Sequence, residues 1–463
     1  MPVNSTHPQY DASLDTWEET RDAAAGDAKV SDNDSKYLQT DFMETEPERW
    51  EVYRNRAYFM GVTGRTEKAM VGMVFRKPAA YEVPSKLEPL LEDFDGSGNN
   101  IEQVAKDALK GRLETNRHLL LVDYPESKPN ATAAEERALG LRPTCAQYPA
   151  ESLINWRFEG VQGKRKLTMA VLVEQQNKST DEFGHDYKAT YRVLRLKEGV
   201  YTQQLYDHTQ NPLTDEFSPK MAGGGAFDHI PLHGVRELDE PPLFGIAKIN
   251  LAHYRNIADL EESAYIVGQP MVHMNIGETS MQDWRSANPK GIAFGSRQGV
   301  ASIKGSLEMV QASENNLARQ TKLDKENEMI MLGAQLITRG GQAETAEASR
   351  IQAGAEVSVL DSLVGDLSED LESAINDMAL FVGAEPTAEY KLNTDYMDAG
   401  LNPQDLMAVI QGTTSNLYSL KDALHMIKTG RIEIEEGRSI EDIQADIAEQ
   451  VLSTDLSGDG SSI

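Results

Sequence analysis

The spacing of hydrophobic residues in the middle of the chain predicts an uncommon order of elements. A helix is predicted from Leu243 to Val267, because no proline interrupts this stretch before Pro270. Residues Met271 to Ser302 mix Val, Ile, Trp and Phe with Gly, Asn and Pro, a composition typical of short strands and turns. Helical spacing returns from Gly305 to Thr338. The pattern therefore predicts a helix, a compact insertion and a second helix.

The second of these helices is unusually polar. Between Glu314 and Glu328 the apolar residues are Leu317, Ala318 and Leu323. A helix that is polar on nearly all sides bridges solvent, is held by neighbouring subunits, or is unstable alone. We expect packing between subunits to hold this helix.

A glycine-containing loop and one long amphipathic helix follow. The loop surrounds Gly340 and Gly341, and glycine permits backbone bends that other residues resist. The helix is predicted to run from about Ala343 to Phe381, or about 60 Å at about 1.5 Å per residue. Its apolar residues recur at steps of three and four, which places them on one face. These residues are Leu360, Leu363, Val364, Leu367, Leu371, Ile375, Met378 and Val382.

The rest of the chain predicts an α+β fold. Helical patterns begin after Asp41 and recur from Ile101 to Leu113, where an apolar strand follows from Leu119. Further strand-like runs with turn residues between them predict an antiparallel sheet. These runs are Leu153–Phe158, Leu167–Glu174, Tyr187–Leu196 and Val200–Tyr206. Short helices are predicted again after Asn402.

Length and composition add limits to this picture. A chain of 463 residues is expected to form more than one structural region. It contains no run of about 18 apolar residues that could span a bilayer. Residues 1–40 are rich in Asp, Glu, Ser, Thr and Ala and show no signal-peptide pattern, so we expect a flexible arm. Cys145 is the only cysteine, which excludes an intrachain disulfide and a cysteine-rich metal cluster.

The charge balance bears on nucleic-acid binding. The chain has 45 basic and 74 acidic residues, which gives a net charge of −29. Tight binding to DNA normally requires Lys or Arg at each phosphate contact. An acidic surface opposes such binding, but it would let DNA slide past without adhering.

Candidate catalytic and metal-binding motifs are weak. Asp93 to Asn99 resembles the start of a calcium-binding EF-hand loop, but the twelfth position is Val104 instead of the bidentate Glu. A turn that caps the next helix explains the segment better. The histidines lack the spacing of a zinc site, and no phosphate loop or nucleophile elbow is present. We therefore expect no enzyme activity and no cofactor.

Taken in order, the predicted elements resemble the portal proteins of tailed bacteriophages. The chains of that family run through a wing, a stem helix, a clip, a second stem helix, a tunnel loop and a long wing helix. Short segments between Asp41 and Gly400 carry the resemblance. They are Arg56-Ala57-Tyr58-Phe59, Thr63-Gly64-Arg65-Thr66, Val71-Gly72-Met73-Val74-Phe75-Arg76-Lys77-Pro78, Tyr148-Pro149-Ala150-Glu151-Ser152-Leu153-Ile154-Asn155-Trp156, Leu251-Ala252-His253-Tyr254 and Glu344-Thr345-Ala346.

The resemblance implies a dodecameric ring at one capsid vertex, through which DNA is packaged and ejected. It also implies a division of the chain into a flexible N-terminal arm (1–40), a wing (41–240 with 384–400), two stem helices (241–270 and 304–338), a clip (271–303), a tunnel loop (339–345), a long wing helix (346–383) and a helical crown with a flexible C-terminus (401–463). The crown would face the capsid interior. The expected locations are the virion and, during assembly, the host cytoplasm.

The resemblance further implies which residues meet DNA and partners. The tunnel-loop residues expected to face DNA are Arg339, Gly340, Gly341, Gln342, Glu344 and Thr345. The cations expected along the stem channel are Arg319, Lys322 and Lys325. The clip residues expected to bind partners are Trp284, Arg285, Lys290 and Arg297. The implied partners are other copies of the chain, double-stranded DNA, the terminase large subunit, the major capsid and scaffold proteins, and neck or adaptor proteins.

Two alternatives to a portal remain open at this point. A different head–tail connector or assembly protein of a virion would share the acidity and the self-association. A metal-dependent hydrolase would use scattered carboxylates, for instance Asp93, Asp95 and Glu102.

Overall fold

A computed structural model describes residues 2–124, 141–161, 163–179, 181–268, 271–275, 277, 280–289, 306–310, 316–337, 359–395 and 422. The chain divides into two units, Met1–Leu392 and Asn393–Ile463. The first unit holds all the helices and strands discussed below. The predicted crown, apart from Asp422, lies outside the described residues. In the described part of the chain, no helix combines the length and the apolar character that crossing a membrane requires.

The first unit is a mixture of helices and antiparallel sheets, as the α+β prediction required. Its helices are α1 (Pro8–Ala25), α2 (Asp27–Asp32), α3 (Asp34–Tyr37), α4 (Pro47–Arg56), α5 (Val62–Val74), α6 (Glu88–Leu91), α7 (Ile101–Thr115), α8 (Phe244–Val267), α9 (Met281–Ala287), α10 (Asn316–Ile337) and α11 (Val359–Val382). Its strands are β1 (Ala80–Glu82), β2 (His118–Asp123), β3 (Thr144–Pro149), β4 (Leu153–Val161), β5 (Lys164–Asn177), β6 (Tyr187–Lys197), β7 (Val200–Tyr206), β8 (Leu232–His233), β9 (Met271–Asn275), β10 (Ser306–Val310) and β11 (Glu389–Lys391).

The largest sheet confirms the antiparallel prediction. Strands β4, β5, β6 and β7 pair in chain order, each antiparallel to the next. A second sheet has the order β3-β2-β8 and places the buried strand β2 at its centre. Helix α7 precedes β2, as the sequence predicted, and α11 packs against β2. One part of the core of the unit therefore lies between these helices and the three-stranded sheet.

The expected flexible N-terminal arm is wrong. Helices α1, α2 and α3 are folded, and Trp17, Ala23 and Val30 are buried. They form a hydrophobic cluster with helix α8, in which Ala23, Val30 and Tyr37 meet Leu251 and Tyr254. The prediction relied too heavily on the acidic composition. A few apolar residues that share one helix face are enough to pack a polar segment onto the core.

One buried asparagine joins α8 to the N-terminal helices. Asn250 has no exposed surface, and its Oδ1 accepts hydrogen bonds from the backbone nitrogens of Val62 and Thr63 at 3.0 and 3.1 Å. Its Nδ2 donates to the carbonyl oxygen of Met60 at 2.9 Å. The first amides of a helix lack partners within the helix. Asn250 therefore caps α5 from a distant part of the chain.

Close packing holds α5 against α1. A side-chain carbon added at Gly64 would lie 2.2 Å from the carbonyl oxygen of Ala24, a distance that real contacts do not show. Position 64 therefore requires glycine, because there is no space for a side chain beside this carbonyl oxygen. Because α5 and α8 share Asn250 and α1 packs on both helices, the base of α8 is fixed from several directions.

Helix α11 supplies hydrogen-bond acceptors to the strand that follows it. Ser368, Glu372 and Asn376 lie one turn apart, and their side-chain oxygens accept the amides of Leu392, Tyr390 and Ala388 at 3.1, 3.2 and 2.9 Å. Residues four apart on a helix share a face, and residues two apart on a strand share an edge. One edge of β11 is therefore covered by the helix, and its other edge pairs with β1.

Candidate stem and clip region

The two predicted stem helices pack side by side in opposite directions. His253 of α8 lies beside Glu326 of α10, with 3.2 Å between Nε2 and Oε1. Lys325 Nζ donates to the carbonyl oxygen of Ala252 at 3.1 Å and to Asn256 Oδ1 at 2.8 Å. Nearer the base, the side chain of Leu332 lies close to Gly245. Residue numbers rise along one helix as they fall along the other, so the pair is antiparallel.

Polar groups at this contact are desolvated. His253 has no exposed surface, and burial lowers its pKa despite the neighbouring carboxylate of Glu326. Burial also lowers the pKa of Lys325. Buried polar groups normally need partners. Lys325 finds them on α8, whereas Nδ1 of His253 has none among the described residues. The helix pair is therefore held by a polar seam as well as by apolar contacts.

The outer side of α10 remains uncovered in the single chain. Leu323, Ile330 and Met331 are exposed, Ile330 by 69% of its surface, whereas Met329 on the inner side is buried. Exposed apolar groups on a helix that is otherwise polar are typical of a surface that meets another molecule. That neighbouring subunits hold this helix stays a prediction.

The insertion between the helices begins and ends as a two-stranded antiparallel sheet. Strand β9 pairs with β10, with Met271 opposite Val310 and Asn275 opposite Ser306. The second stem helix was predicted from Gly305, and this start is wrong, because β10 occupies the first residues and α10 begins at Asn316. The apolar alternation of Leu307 and Met309 with polar neighbours is a strand signal that the helix prediction missed.

The short helix α9 carries two of the predicted clip residues. Ser280 caps α9 by accepting the amide of Asp283 at 3.1 Å. Trp284 is half-buried and Arg285 is exposed, one residue apart on this helix. The other predicted clip residues, Lys290 and Arg297, lie outside the described residues.

The three predicted channel cations do not share one environment. Arg319 is exposed on α10. The Nζ atom of Lys322 lies 3.5 Å from Oε1 of Glu326 on the same helix. Lys325 points to α8, where it makes the hydrogen bonds described above. Of the three, Arg319 is therefore the cation most available to a channel.

The predicted tunnel loop cannot be placed. Arg339, Gly340, Gly341, Gln342, Glu344 and Thr345 lie outside the described residues, as does the first part of the predicted long helix. The part of that helix from Val359 onward is present as α11, and its predicted apolar face is buried. Its described length is 24 residues, so the remainder of the predicted 60 Å is untested.

The structure brings several of the short sequence segments together. Phe59 and Tyr254 meet edge to face with their ring centroids 5.9 Å apart. Arg56 forms an ion pair with Glu262 on α8 at 2.7 Å. The Thr63-Gly64 segment meets Asn250, a residue that the sequence reasoning did not single out. The sequence did contain a signal for Asn250, because an asparagine within an apolar helical stretch requires a buried partner.

The carboxylates proposed for a metal site are engaged in local structure. Asp95 accepts the side-chain amide of Asn99 at 2.7 Å and the backbone amides of Ser97 and Asn99 at 2.8 and 3.2 Å. Against the effect of burial, these bonds lower the pKa of Asp95, the side-chain bond most. Asp93 forms an ion pair with Arg142, and Glu102 pairs with Lys106. The described residues contain no group of three or more His, Cys, Asp or Glu side chains arranged to hold a metal.

The histidines have structural neighbours as well. His229 and His233 both reach the buried carboxylate of Asp377 on α11, at 3.0 and 2.9 Å. The hydrogen bond to Asp377 raises the pKa of His229 to about 9. This cluster attaches the loop before β8 to α11.

Comparisons with known proteins bear on this region. The family model described as "Domain of unknown function (DUF4055)" matches residues 242–382. The chain is similar to one in the solved structure titled "Neck of empty GTA particle computed with C6 symmetry", with 14% sequence identity and a TM-score of 0.39. The likeness covers 80% of this chain and 90% of that chain. No curated protein matches the sequence.

The matched family region coincides with the elements that the sequence singled out. Residues 242–382 contain α8, the insertion, α10 and α11, in the predicted order. The description of the family names no activity. The match covers the predicted stem and clip elements and assigns no role to them.

Proposed function

We propose that this protein is the subunit of a phage portal, a dodecameric ring at one capsid vertex. The observation that carries the proposal is the antiparallel pair of α8 and α10, joined through a strand-based insertion and followed by the buried helix α11. This is the order of stem, clip, stem and wing helix in the portal resemblance. This order of elements is explained without an enzyme active site.

The exposed side of α10 supports a ring. Ile330 and Met331 would be covered if the helix pair of an adjacent subunit packed beside them. A heterologous interface closes into a ring when each subunit presents the two complementary surfaces at a fixed angle. Repeated pairs of this kind would enclose a channel that is lined by polar helix surface.

The proposed mechanism is passive. DNA passes through the channel while an ATPase, the terminase large subunit, docks at the clip through residues such as Trp284 and Arg285. Neck or adaptor proteins use the same end after packaging, and capsid and scaffold proteins surround the wing. The net charge of −29 on each chain weakens adhesion of the phosphate backbone, so that DNA slides. The chain itself performs no chemistry.

Native mass measurement of a stem variant tests this proposal. Ile330→Glu with Met331→Glu places charge on the exposed side of α10 and leaves the buried Met329 in place. We expect the wild type to form dodecamers and the double variant to remain as folded subunits. Val52→Glu is the matched control, because Val52 is an exposed apolar residue on α4, and it should assemble as the wild type does.

Two outcomes would contradict the proposal. Assembly of the double variant into normal dodecamers would show that this side of α10 is not an interface. A wild-type chain that stays monomeric even with the major capsid protein present would remove the portal assignment. A closed oligomer without an axial channel would instead favour another kind of head–tail connector.

A further inference from the structure

A groove borders β1 at a distance in sequence from the stem and clip region. It has a volume of about 780 Å³, and Pro78 to Val83 form one wall. Residues at the end of α6 and the start of α7 form the opposite wall, among them Leu91 and Ile101. Tyr390 of β11 lies at the floor, buried, with its ring stacked on Tyr81 at 6.2 Å between centroids. We call this cavity the β1 groove.

Strand β1 lines this groove, and its edge away from β11 is open. Tyr81 lies opposite Tyr390 in the β1–β11 pair, but the amide of Tyr390 donates to Glu372 instead. Opposed residues in antiparallel strands alternate between bonded and non-bonded pairs. The Tyr81 pair is therefore the non-bonded kind, and the amide and carbonyl of Tyr81 point away from β11.

The outward backbone groups have no partner within the described part of the chain. No described residue bonds to the amides of Ala79, Tyr81 or Val83, all of which line the groove. The far edge of β11, in contrast, is covered by acceptors from α11. An open strand edge is a template for pairing with another strand. The two-stranded sheet can thus extend only on the β1 side.

The charge of the groove defines what would fit there. Glu82, Glu88 and Glu92 line it, and none of them pairs with a cation among the residues that the structure describes. Lys106 is held by Glu102, and Lys86 donates to the carbonyl oxygen of Gly383. The groove is therefore acidic along its walls, with an exposed tyrosine ring and a free strand edge between them.

We propose that the β1 groove binds an extended segment of a partner protein that carries Lys or Arg, and that this segment adds to β1 as a third strand. Main-chain hydrogen bonds supply affinity in such strand addition, and side-chain pockets supply specificity. A second copy of this chain is a poor occupant, because each copy carries a net charge of −29. The site lies outside the elements that carry the portal proposal and does not depend on ring assembly.

Peptide binding measured by fluorescence anisotropy tests the strand addition. The probe is a labelled short peptide of alternating lysine and valine, and its control is the same peptide with methylated backbone nitrogens on alternate residues. Methylation removes the donors of one strand edge and leaves the charge unchanged. We expect the methylated peptide to bind at least about tenfold more weakly, or about 1.4 kcal/mol. Equal binding of the two peptides would overturn strand addition.

Variants of the protein test the place of binding. Tyr81→Pro removes the outward amide without removing a bond to β11, and it should weaken binding by at least about tenfold. Tyr81→Val keeps the amide and should retain most of the affinity. Circular dichroism of both variants verifies the fold, and the methylated peptide tests the same point on the unaltered protein. Unchanged affinity in Tyr81→Pro would place the peptide elsewhere.

Charge variants separate this groove from general attraction to an acidic protein. Replacing Glu82, Glu88 and Glu92 by Gln should weaken binding by about tenfold or more. The matched control replaces Glu44, Glu48 and Glu51, which are also exposed acidic residues, and removes the same charge. Equal losses in the two triple variants would show that the peptide responds only to net charge, and would overturn the proposal.

Discussion

The two ends of α8 lie in contrasting surroundings. From Ile246 to Ala258 one side is buried against the N-terminal helices, and Asn250, Leu251 and Tyr254 are almost fully covered. From Asp259 to Val267 the helix emerges, and Tyr265 and Ile266 are about half exposed. A single continuous helix thus begins in a core and ends at a surface.

This contrast separates what the single chain stabilises from what it leaves uncovered. At the base, polar groups such as Asn250 have partners, and apolar groups form a cluster. Along α10, by contrast, Leu317, Leu323, Ile330 and Met331 are exposed. Contacts within one chain therefore explain the base of α8, whereas these exposed side chains of α10 are covered only in the ring that we propose. The predictions below compare the two ends by matched substitutions.

The largest expected contrast comes from two tyrosines on α8. Tyr254→Ala removes a ring that packs on Phe59 in the core, and we expect a loss of about 3–5 kcal/mol in the free energy of unfolding. Tyr265→Ala removes an exposed ring whose described contact is the guanidinium of Arg56, and we expect less than about 1 kcal/mol. Denaturant unfolding of the single subunit measures both changes. Similar losses would contradict the division of α8 into two ends.

Substitution of two asparagines on the same helix should give a smaller difference in the free energy of unfolding. Asn250→Ala leaves the amide of the buried Thr63 without its acceptor, at an expected cost of about 2–3 kcal/mol. Asn256→Ala removes one hydrogen bond from Lys325 and should cost less than about 1 kcal/mol. Thermal and denaturant unfolding check the difference. If Asn250→Ala proves neutral, Asn250 does not cap α5 in the way described.

A pH effect is expected at the base. Burial raises the pKa of Glu67 on α5 to about 8, and the hydrogen bond to Glu114 adds to this rise. A raised carboxyl pKa stabilises the folded chain fully at pH values below the unfolded-state pKa, and this contribution is lost as the pH rises through about 8. We therefore expect the wild type to lose more than about 1 kcal/mol over that interval.

A neutral side chain at this position should remove most of that loss. Glu67→Gln keeps a hydrogen-bonding group of similar size but cannot ionise, so its stability should depend less on pH. Glu102→Gln is the control, because Glu102 is exposed and pairs with Lys106 on the same helix. Unfolding curves at several pH values measure the slopes. An unchanged slope in Glu67→Gln would assign the pH effect to another group.

Much of the fold was predictable because its hydrophobic periods are regular. The four strands of the large sheet, α7, α8 and the apolar face of α11 all follow from residue spacing. The N-terminal helices were missed because their acidic composition is typical of disorder, while Trp17 and Val30 bury enough surface to dock them. Strand β10 was missed because a short alternating run beside a helical pattern is ambiguous.

The candidate site was predictable only in its order of elements. Spacing predicted two helices around an insertion, but it could not show that Lys325 points to α8 while Arg319 stays exposed. Side-chain direction depends on how far one helix is rotated against its neighbour, and local sequence does not determine this rotation. The same reason explains why the partners of Asn250 were found only from the fold, although an asparagine in an apolar helical stretch was itself a signal.

Labelling of the stem in assembled particles tests the central claim most directly. Cys145 is buried and burial raises the pKa of its thiol, so a cysteine introduced at Arg319 would be the reactive one. Electron microscopy of the purified protein with a heavy-atom label at that cysteine locates α10. We predict dodecameric rings with the label at the axial channel, and Glu48→Cys labelled away from the axis. Rings with the position-319 label at the outer circumference, or a protein that forms no rings, would contradict the account.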